Sequence, residues 1–322
     1  MGKTIDGVSR WKLYTVGIAF TLSIGFSFFG IKQCVPYADT LTLLAYRFAT
    51  ALIGVIMFVA VCKALGKYPK AEPNRPKAKL YQTAGFYLAF MVLQILAMYF
   101  ATSIEGAIVF AVVPIFAKII GRITLGEKST PLQNFFVVLT VAALVVLIIL
   151  NATDIRLNVT GLIIMTISSI FMGCQNVSAR YVRGVFAPIE ITVCISVGGF
   201  IIFYGAALLR ALGTHDLYGL VEPLTHPRFV IWVSFLGIFC ILLSAQFMAF
   251  MLAHMELVQC TVFSSASTLV SIIAGALILG EPLYWYHYIC GALILTGVIG
   301  LAVAPAEPSN SGKSLRDDMI IQ

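Results

Sequence analysis

The chain contains ten apolar segments, each about twenty residues long, and this feature limits its fold more than any other. A segment of roughly 20 residues crosses the ~30 Å hydrocarbon core of a bilayer as a helix. The predicted spans are residues 12–33, 40–62, 80–101, 104–125, 132–150, 159–179, 188–209, 229–251, 257–279 and 284–303. Of the 322 residues, 60% are hydrophobic and 11% are charged, which is atypical of a soluble domain. We therefore expect an all-α integral membrane protein.

An internal repeat divides these spans into two sets of five. The stretch SIEGAIVFAVVPIFAKIIGRITLGE aligns with LVQCTVFSSASTLVSIIAGALILGE at an offset of 154 residues. Both copies end in Leu-Gly-Glu, where a glycine favours the left-handed backbone that ends a helix. Both keep a pair of small residues, Ala117/Gly121 and Ser271/Gly275, that lets membrane helices approach closely. We expect five-helix repeats at residues 12–150 and 159–303.

The distribution of lysine and arginine predicts the orientation in the membrane. Fifteen of these residues lie in connections or span ends on the side where the chain begins and four on the other side, and Arg47 and Lys118 lie away from the span ends. Because basic loops stay in the cytoplasm, both termini are predicted to be cytoplasmic in a multi-pass protein of the cytoplasmic membrane. Five spans per repeat then place the repeats in opposite orientations, as in many secondary transporters.

The chain resembles the EamA family of the drug/metabolite transporter superfamily. The resemblance rests on ten spans in two inverted halves, on the two Leu-Gly-Glu turns, and on Tyr46-Arg47-Phe48-Ala49 in the second span. It implies transport of a small metabolite, amino acid or drug-like solute, usually export, through a site between the halves. The second repeat has Ser196 where direct alignment would place a second arginine.

Two cations inside the predicted spans are the first candidates for substrate binding. Charged residues are costly inside a membrane and often mark a transport path. For Arg47 we expect one of two roles: contact with the substrate, or hydrogen bonds to backbone carbonyls of a neighbouring helix. Lys118 faces a cavity or extends its ammonium group to the membrane surface. The nearest acid on its own helix is Glu105, about 20 Å away at the helical rise. We hypothesise that Lys118 binds the carboxylate or phosphate of an anionic or zwitterionic metabolite, with Arg47 assisting.

Uncharged polar residues inside the spans are further candidates for contact with substrate. Each amide can equally form a hydrogen bond between helices. Of the adjacent Gln175 and Asn176, one at most is expected to face a cavity directly, because neighbours on a helix point about 100° apart. The full set is Tyr46, Gln94, Gln175, Asn176 and Gln246.

Two positions at matching depth are predicted to weaken spans four and nine and to act in gating. Pro114 cannot donate to the carbonyl of Phe110, which leaves an acceptor free within the membrane. The repeat aligns Pro114 with Thr268 in a cluster of hydroxyl residues that can bond their own backbone. The cluster comprises Ser264, Ser265, Ser267 and Thr268. Paired weak points of this kind indicate a transport site, although both can simply assist packing.

Other classes of function find less support in the sequence. No nucleotide-binding, hydrolase or metalloprotease motif is present, so we expect no enzyme activity, no cofactor and no metal. The +7 net charge comes from residues between apolar runs, which does not indicate nucleic acid as a partner. The expected partners are the lipid bilayer, a small-molecule substrate and, as an open possibility, further copies of the chain. A receptor, a scaffold or a channel remains the alternative.

Overall fold

The computed structural model describes residues 4–5, 8–66, 68–69, 75, 77–125, 129–153 and 159–305. In these residues, two short strands, Thr4–Ile5 and Val8–Ser9, pair antiparallel before the first helix. The remainder is helical, and ten helices are long and apolar enough to cross a membrane. The predicted all-α membrane fold of ten spans is confirmed.

The ten spans follow the predicted order, and four of them change helix type or break. Spans 2, 3, 5, 6, 9 and 10 are the continuous helices Thr40–Ala64, Lys77–Met98, Pro131–Thr153, Val159–Val182, Leu257–Ile278 and Trp285–Val303. Span 1 consists of Arg10–Gly25 and Ser27–Cys34, and span 4 of Ser103–Phe110 and Val113–Leu125. Span 7 runs through Pro188–Gly199, the π-helix Phe200–Tyr204 and Gly205–Gly213, and span 8 through Pro227–Gly237, the π-helix Ile238–Leu243 and Ser244–His254. Between spans 7 and 8 lie the short helix Leu217–Val221 and the 3₁₀ turn Glu222–Thr225.

The two repeats are inverted and exchange one helix each. Spans 3, 4 and 6 pack together and form what we call bundle A. Spans 1, 8 and 9 pack together in the same way and form bundle B. The inverted repeat relates span 3 to span 8, span 4 to span 9 and span 6 to span 1, so the two bundles are equivalent. Each bundle therefore contains two helices from one repeat and one from the other.

The remaining spans form two pairs, each joining equivalent helices. Spans 2 and 7 contact each other along their length between the bundles, and spans 5 and 10 pack at the periphery. Glycines bring spans 5 and 10 close: a Cβ on Gly300 would collide with the Phe136 ring. We call the side where spans 1, 3, 5, 7 and 9 begin the basic face, and the other side the opposite face.

An ion pair joins spans 2 and 7 at the opposite face. Asp39 precedes the first turn of span 2 and caps its helix, and its carboxylate accepts hydrogen bonds from both terminal nitrogens of Arg210, one of them at 3.0 Å. Burial alone would raise the pKa of Asp39, but the hydrogen bonds from Arg210 and Thr42 and the Arg210 charge outweigh it and lower the pKa to about 2. Both side chains are about half exposed, at 48% for Asp39 and 47% for Arg210.

A second ion pair lies at the basic face. Here the acid is at the start of span 7 and the arginine follows the end of span 2, which reverses the roles that the two spans have in the first pair. Glu190, in the first turn of span 7, accepts two hydrogen bonds from Arg75 at 2.9 and 3.0 Å. Arg75 lies in the connection that follows span 2 and also donates to the carbonyl oxygen of Val185 at 3.1 Å. These side chains are only 12% and 14% exposed, so this pair is better shielded from solvent than the pair at the opposite face.

Candidate functional site

Arg47 lies in the half of span 2 that is nearer the opposite face, eight residues after Asp39. Its side chain is 1% exposed, and it ranks among the largest fully buried side chains of the described residues. Its charge lies within electrostatic range of Cys34 in span 1, Tyr87 in span 3 and Cys240 in span 8. The guanidinium group is therefore placed where helices of both repeats meet.

The guanidinium of Arg47 does not have the bonding expected of a structural arginine. Its Nε and Nη1 atoms are buried and have no hydrogen-bond partner among the described residues. The backbone carbonyl of Arg47, in contrast, accepts from Thr50 Oγ1 at 3.0 Å. A buried charged group without partners is costly, and such groups concentrate at functional sites. The structural alternative, in which Arg47 bonds carbonyls of a neighbouring helix, is not seen for these two atoms.

Glycines in spans 7 and 8 allow the Arg47 turn to pack closely against both helices. A Cβ on Gly237 would lie 2.6 Å from the Arg47 carbonyl oxygen and 2.7 Å from the Ala51 nitrogen. A Cβ on Gly199 would collide with the ring of Phe48. Immediately after each of these glycines the helix widens into its π segment. Such π segments are frequent at functional sites, and the sequence contains no specific signal for them beyond the glycines.

The amide candidates are distributed over spans 3, 6 and 8. Gln94 in span 3 is 2% exposed, and its Oε1 is buried without a hydrogen-bond partner in the described structure. Gln246 in span 8 donates to Thr192 Oγ1 in span 7 at 3.3 Å. In span 6, Gln175 is buried and Asn176 is half-buried. The structure thus shows an interhelical bond for Gln246 and an unsatisfied acceptor for Gln94.

Tyr46 and Ser196 differ in their bonding, although both flank the Arg47 region. The Tyr46 hydroxyl donates to the carbonyl oxygen of Leu220 at 2.8 Å, which ties span 2 to the connection at the opposite face. The Ser196 hydroxyl is fully buried and has no partner among the described residues. Tyr46 therefore has an observed structural contact, and its contact with substrate stays a prediction.

Span 4 breaks where the sequence predicts a weak point. The chain leaves the first helix at Ala111 and starts the second at Val113, directly before Pro114. Lys118 lies one turn after the proline and is half-buried. Span 9, in contrast, is a continuous helix through the matching region, and Ser267 Oγ donates to the Ser264 carbonyl oxygen at 2.6 Å. Ser265, Ser267 and Thr268 are buried there. The break is thus confined to one repeat, and a gating role stays a prediction for both.

Glu281 has a role that the sequence does not show. Its carboxylate accepts hydrogen bonds from the backbone nitrogens of Ser103 at 2.9 Å and Ile104 at 3.2 Å, and from the Ser103 hydroxyl at 2.6 Å. The glutamate after span 9 therefore caps the first turn of span 4. Gly280 has a φ of +68°, which confirms the predicted left-handed turn. The equivalent Gly126 and Glu127 lie outside the described residues.

A cleft of about 960 Å³ opens between spans 3 and 7 on the basic face. Leu80, Ala84, Gly85 and Leu88 line it from span 3, and Val193, Val197, Gly198 and Ile202 from span 7. The Arg75–Glu190 ion pair forms part of its mouth. Two of its lining residues, Leu88 and Gly198, are next in sequence to Tyr87 and Gly199.

Comparisons with known proteins agree with this architecture. One crystal structure has the same fold, with a TM-score of 0.60, 15% sequence identity, and coverage of 91% of this chain and 96% of that one. The uncharacterized transporter YcxC of Bacillus subtilis strain 168 is 29% identical over 293 residues, which cover 89% of this chain and 91% of that protein. An uncharacterized transporter of Archaeoglobus fulgidus is 25% identical over 295 residues, which cover 90% and 98%. The sequence profile of the EamA-like transporter family matches residues 11–149 and again 159–303. These two matches cover nearly the whole chain, which therefore belongs to the EamA-like transporter family of membrane proteins.

Proposed function

We propose that the protein is a secondary transporter that exports a small solute across the cytoplasmic membrane by alternating access. The family supports transport, and the excess of lysine and arginine on the basic face supports a cytoplasmic location for that face and for both termini. In this proposal the transport path runs between bundles A and B, past Arg47. The cleft between spans 3 and 7 is its cytoplasmic end.

The asymmetry between two equivalent helix contacts carries this proposal. The inverted repeat relates the contact of span 3 with span 7 to the contact of span 8 with span 2. Gly85 and Gly237 are separated by 152 residues, as are Gln94 and Gln246, so these glycines are equivalent. Gly237 packs directly against the backbone of span 2, whereas Gly85 has no atom within 4 Å of the position of a Cβ. The contact of span 8 with span 2 is therefore closed, and the equivalent contact of span 3 with span 7 is open.

Alternating access follows if the two repeats can exchange these conformations. Span 3 would then close against span 7 through Gly85 and Gly198, as span 8 now closes against span 2 through Gly237. Gly198 has space for this movement, because only Leu88, at 3.9 Å, lies near the position of its Cβ. The contact between spans 8 and 2 at the opposite face would open in the same step. That opening would break the hydrogen bond that Thr50 Oγ1 now donates to the Val233 carbonyl oxygen at 3.1 Å.

Leucine substitutions in the cleft test this movement. Gly85→Leu and Gly198→Leu place side chains in existing space, so we expect both variants to fold and to insert normally. Because the added side chains block closure, transport should fall at least about tenfold, the loss expected for ~1.4 kcal/mol against closure. Gly205→Leu is the matched control, since Gly205 also lies in span 7 and has no atom within 4 Å. Normal transport by either cleft variant would contradict the proposal.

Flux measurements separate a transporter from the alternatives. Proteoliposomes loaded with metabolite pools should show counterflow of a labelled solute that saturates with concentration. A channel would give flux without saturation or counterflow, and a receptor or scaffold would give no flux. For orientation, a single cysteine at Gly184 should react with impermeant reagents only from the cytoplasm, and one at Tyr218 only from outside.

A further inference from the structure

The unbalanced charge of Arg47 indicates what the transport path binds. A guanidinium group stays protonated in proteins, so burial does not remove its charge. In the described part of the chain no carboxylate forms an ion pair with Arg47. The acids nearest the spans have other partners: Asp39 binds Arg210, Glu190 binds Arg75, Glu281 caps span 4, and Glu105 caps Thr102. The described residues therefore supply no anion to balance Arg47.

We propose that Arg47 binds the carboxylate of a small monoanionic organic acid, which is the transported solute. The inference rests on the proposed function and adds the chemical class of the substrate. A guanidinium group binds a carboxylate through charged N–H donors, and Nε and Nη1 of Arg47 are available for such bonds. Both of these donors are buried and have no partner among the residues that the structure describes. One buried cation matches one negative charge.

The surroundings of Arg47 favour an acid over an amino acid. The α-ammonium group of an amino acid needs an anion or several acceptors when it leaves water. All fourteen acidic residues lie at span ends, in connections or in the terminal segments. The groups within electrostatic range of Arg47 are instead uncharged, namely Tyr87 and two cysteines, which suits a solute with an apolar or aromatic hydrocarbon part. The unsatisfied Gln94 Oε1 in the same span as Tyr87 is an acceptor for a hydroxyl group of the solute.

The solute reaches Arg47 from the cleft on the basic face. Leu88 and Gly198 line the cleft, and Gly199, the next residue of span 7, packs against Phe48, which follows Arg47 in span 2. Entry from the cytoplasmic end, binding at Arg47 and release at the opposite face describe the export of the acid.

Matched sets of ligands test the contribution of the carboxylate separately from that of the carbon chain. Hexanoate, hexanamide and norleucine share one carbon chain, and 3-phenylpropionate, its amide and phenylalanine share another. We expect the purified protein, in low-chloride buffer, to be stabilised against heat by the acids and to respond at least tenfold more weakly to the amides and amino acids. Absence of a response to both acids, or an equal response to the amides, would overturn the proposal.

Variants of Arg47 separate binding from folding. Arg47→Gln should bind the acids about 10- to 100-fold more weakly, the loss expected for charged hydrogen bonds, and Arg47→Lys should retain part of the binding. Arg228→Gln removes an exposed arginine of span 8 and is the matched control, which should bind normally. Arg47→Met should be at least as stable as the parent without ligand, because it removes an unpartnered buried charge. A large loss of stability in Arg47→Met would instead show a structural arginine and refute the proposal.

Two further outcomes distinguish this inference from the proposed function. If the leucine variants of the cleft arrest transport while Arg47→Gln binds and transports acids normally, alternating access stands and the assignment of Arg47 fails. If chloride stabilises the protein through Arg47 and the acids do not, Arg47 is a halide site and the assignment of the acid fails. Loss of acid binding in Arg47→Gln, with normal binding in Arg228→Gln, supports the assignment even if no flux is found.

Discussion

Removing the Glu281 carboxylate should weaken the contact between spans 4 and 9 by an amount that the structure allows us to estimate. Ser103 and Ile104 are fully buried, and Glu281 is the acceptor for both of their backbone nitrogens. Thr102 and Glu105 form a capping box that satisfies other donors of this turn. Glu281→Ala leaves two buried N–H groups without partners, each costing about 1–3 kcal/mol. We therefore expect a loss of roughly 3 kcal/mol, since water can reach a partly exposed site.

The assay is the unfolding of purified protein in detergent, followed by circular dichroism and by thiol reactivity of the buried cysteines. Glu281→Gln keeps one acceptor oxygen and should lose about half as much stability as Glu281→Ala. Glu222→Ala is the control, because Glu222 is exposed on the same face. Equal stability of the parent and Glu281→Ala would refute the assigned cap.

A second substitution tests whether the cap and the helix contact form one unit. A Cβ on Gly275 would lie 2.5 Å from Ser103 Oγ and 2.8 Å from Glu281 Oε2, so Gly275→Ala should displace the carboxylate. The two substitutions then remove the same interaction, and their combined effect should be smaller than the sum of the separate effects. Strict additivity would show that Glu281 and Gly275 act independently.

Three further predictions concern the ends and the interior of the spans. Asp39→Asn should cost less than about 1 kcal/mol, because the Asp39–Arg210 pair is half exposed. Because the pKa of Asp39 is lowered to about 2, its contribution to stability is complete above about pH 4 and is lost as the pH falls toward about 2. The difference in unfolding free energy between the parent and Asp39→Asn should therefore shrink across that window. Equal curves at all pH values would contradict the ion pair. Pro114→Ala restores a donor to the Phe110 carbonyl and should slow transport more than it changes stability; unchanged kinetics would show a packing role alone. Lys118→Met should fold as the parent and lose transport of anionic solutes while Lys118→Arg keeps part of it, and full transport by Lys118→Met would place this lysine outside the path.

Much of the fold could be predicted from sequence because the bilayer restricts the possible structures. Each predicted span corresponds to an observed one with ends shifted by a few residues; span 3, for example, begins at Lys77 instead of residue 80. The break before Pro114 could also be predicted, since a missing backbone donor is a local property. The left-handed Gly280 follows from the same kind of local argument.

The contacts between distant parts of the chain could not be predicted in this way. Nothing in the Leu-Gly-Glu turn shows that Glu281 caps a helix that begins 178 residues earlier. Similarly, hydropathy predicts span 6 but not that it packs with spans 3 and 4 of the other repeat. The π segments follow Gly199 and Gly237, where residues of span 2 approach closely, and neither that approach nor the π segments could be predicted from the sequence. For Arg47, the sequence leaves open whether the side chain bonds a neighbouring helix or contacts the substrate. Contact with the substrate is favoured by the structure alone, in which Nε and Nη1 have no partner among the described residues.

The two ion pairs indicate which helices stay together if the repeats exchange conformations. Asp39–Arg210 joins spans 2 and 7 at the opposite face, and Arg75–Glu190 joins the segment after span 2 to the start of span 7 at the basic face. Between these ends, the Phe48 ring packs against Gly199. Because this helix pair is held at both ends and in the middle, an opening cleft is accommodated more readily by movement of spans 3 and 8 against it. Those two spans carry Gly85 and Gly237, whose contacts differ, and under the proposed movement Arg47 would stay in place with spans 2 and 7. A cation that remains in place while the bundles on either side move is accessible in turn from each face, which is the arrangement that alternating access requires.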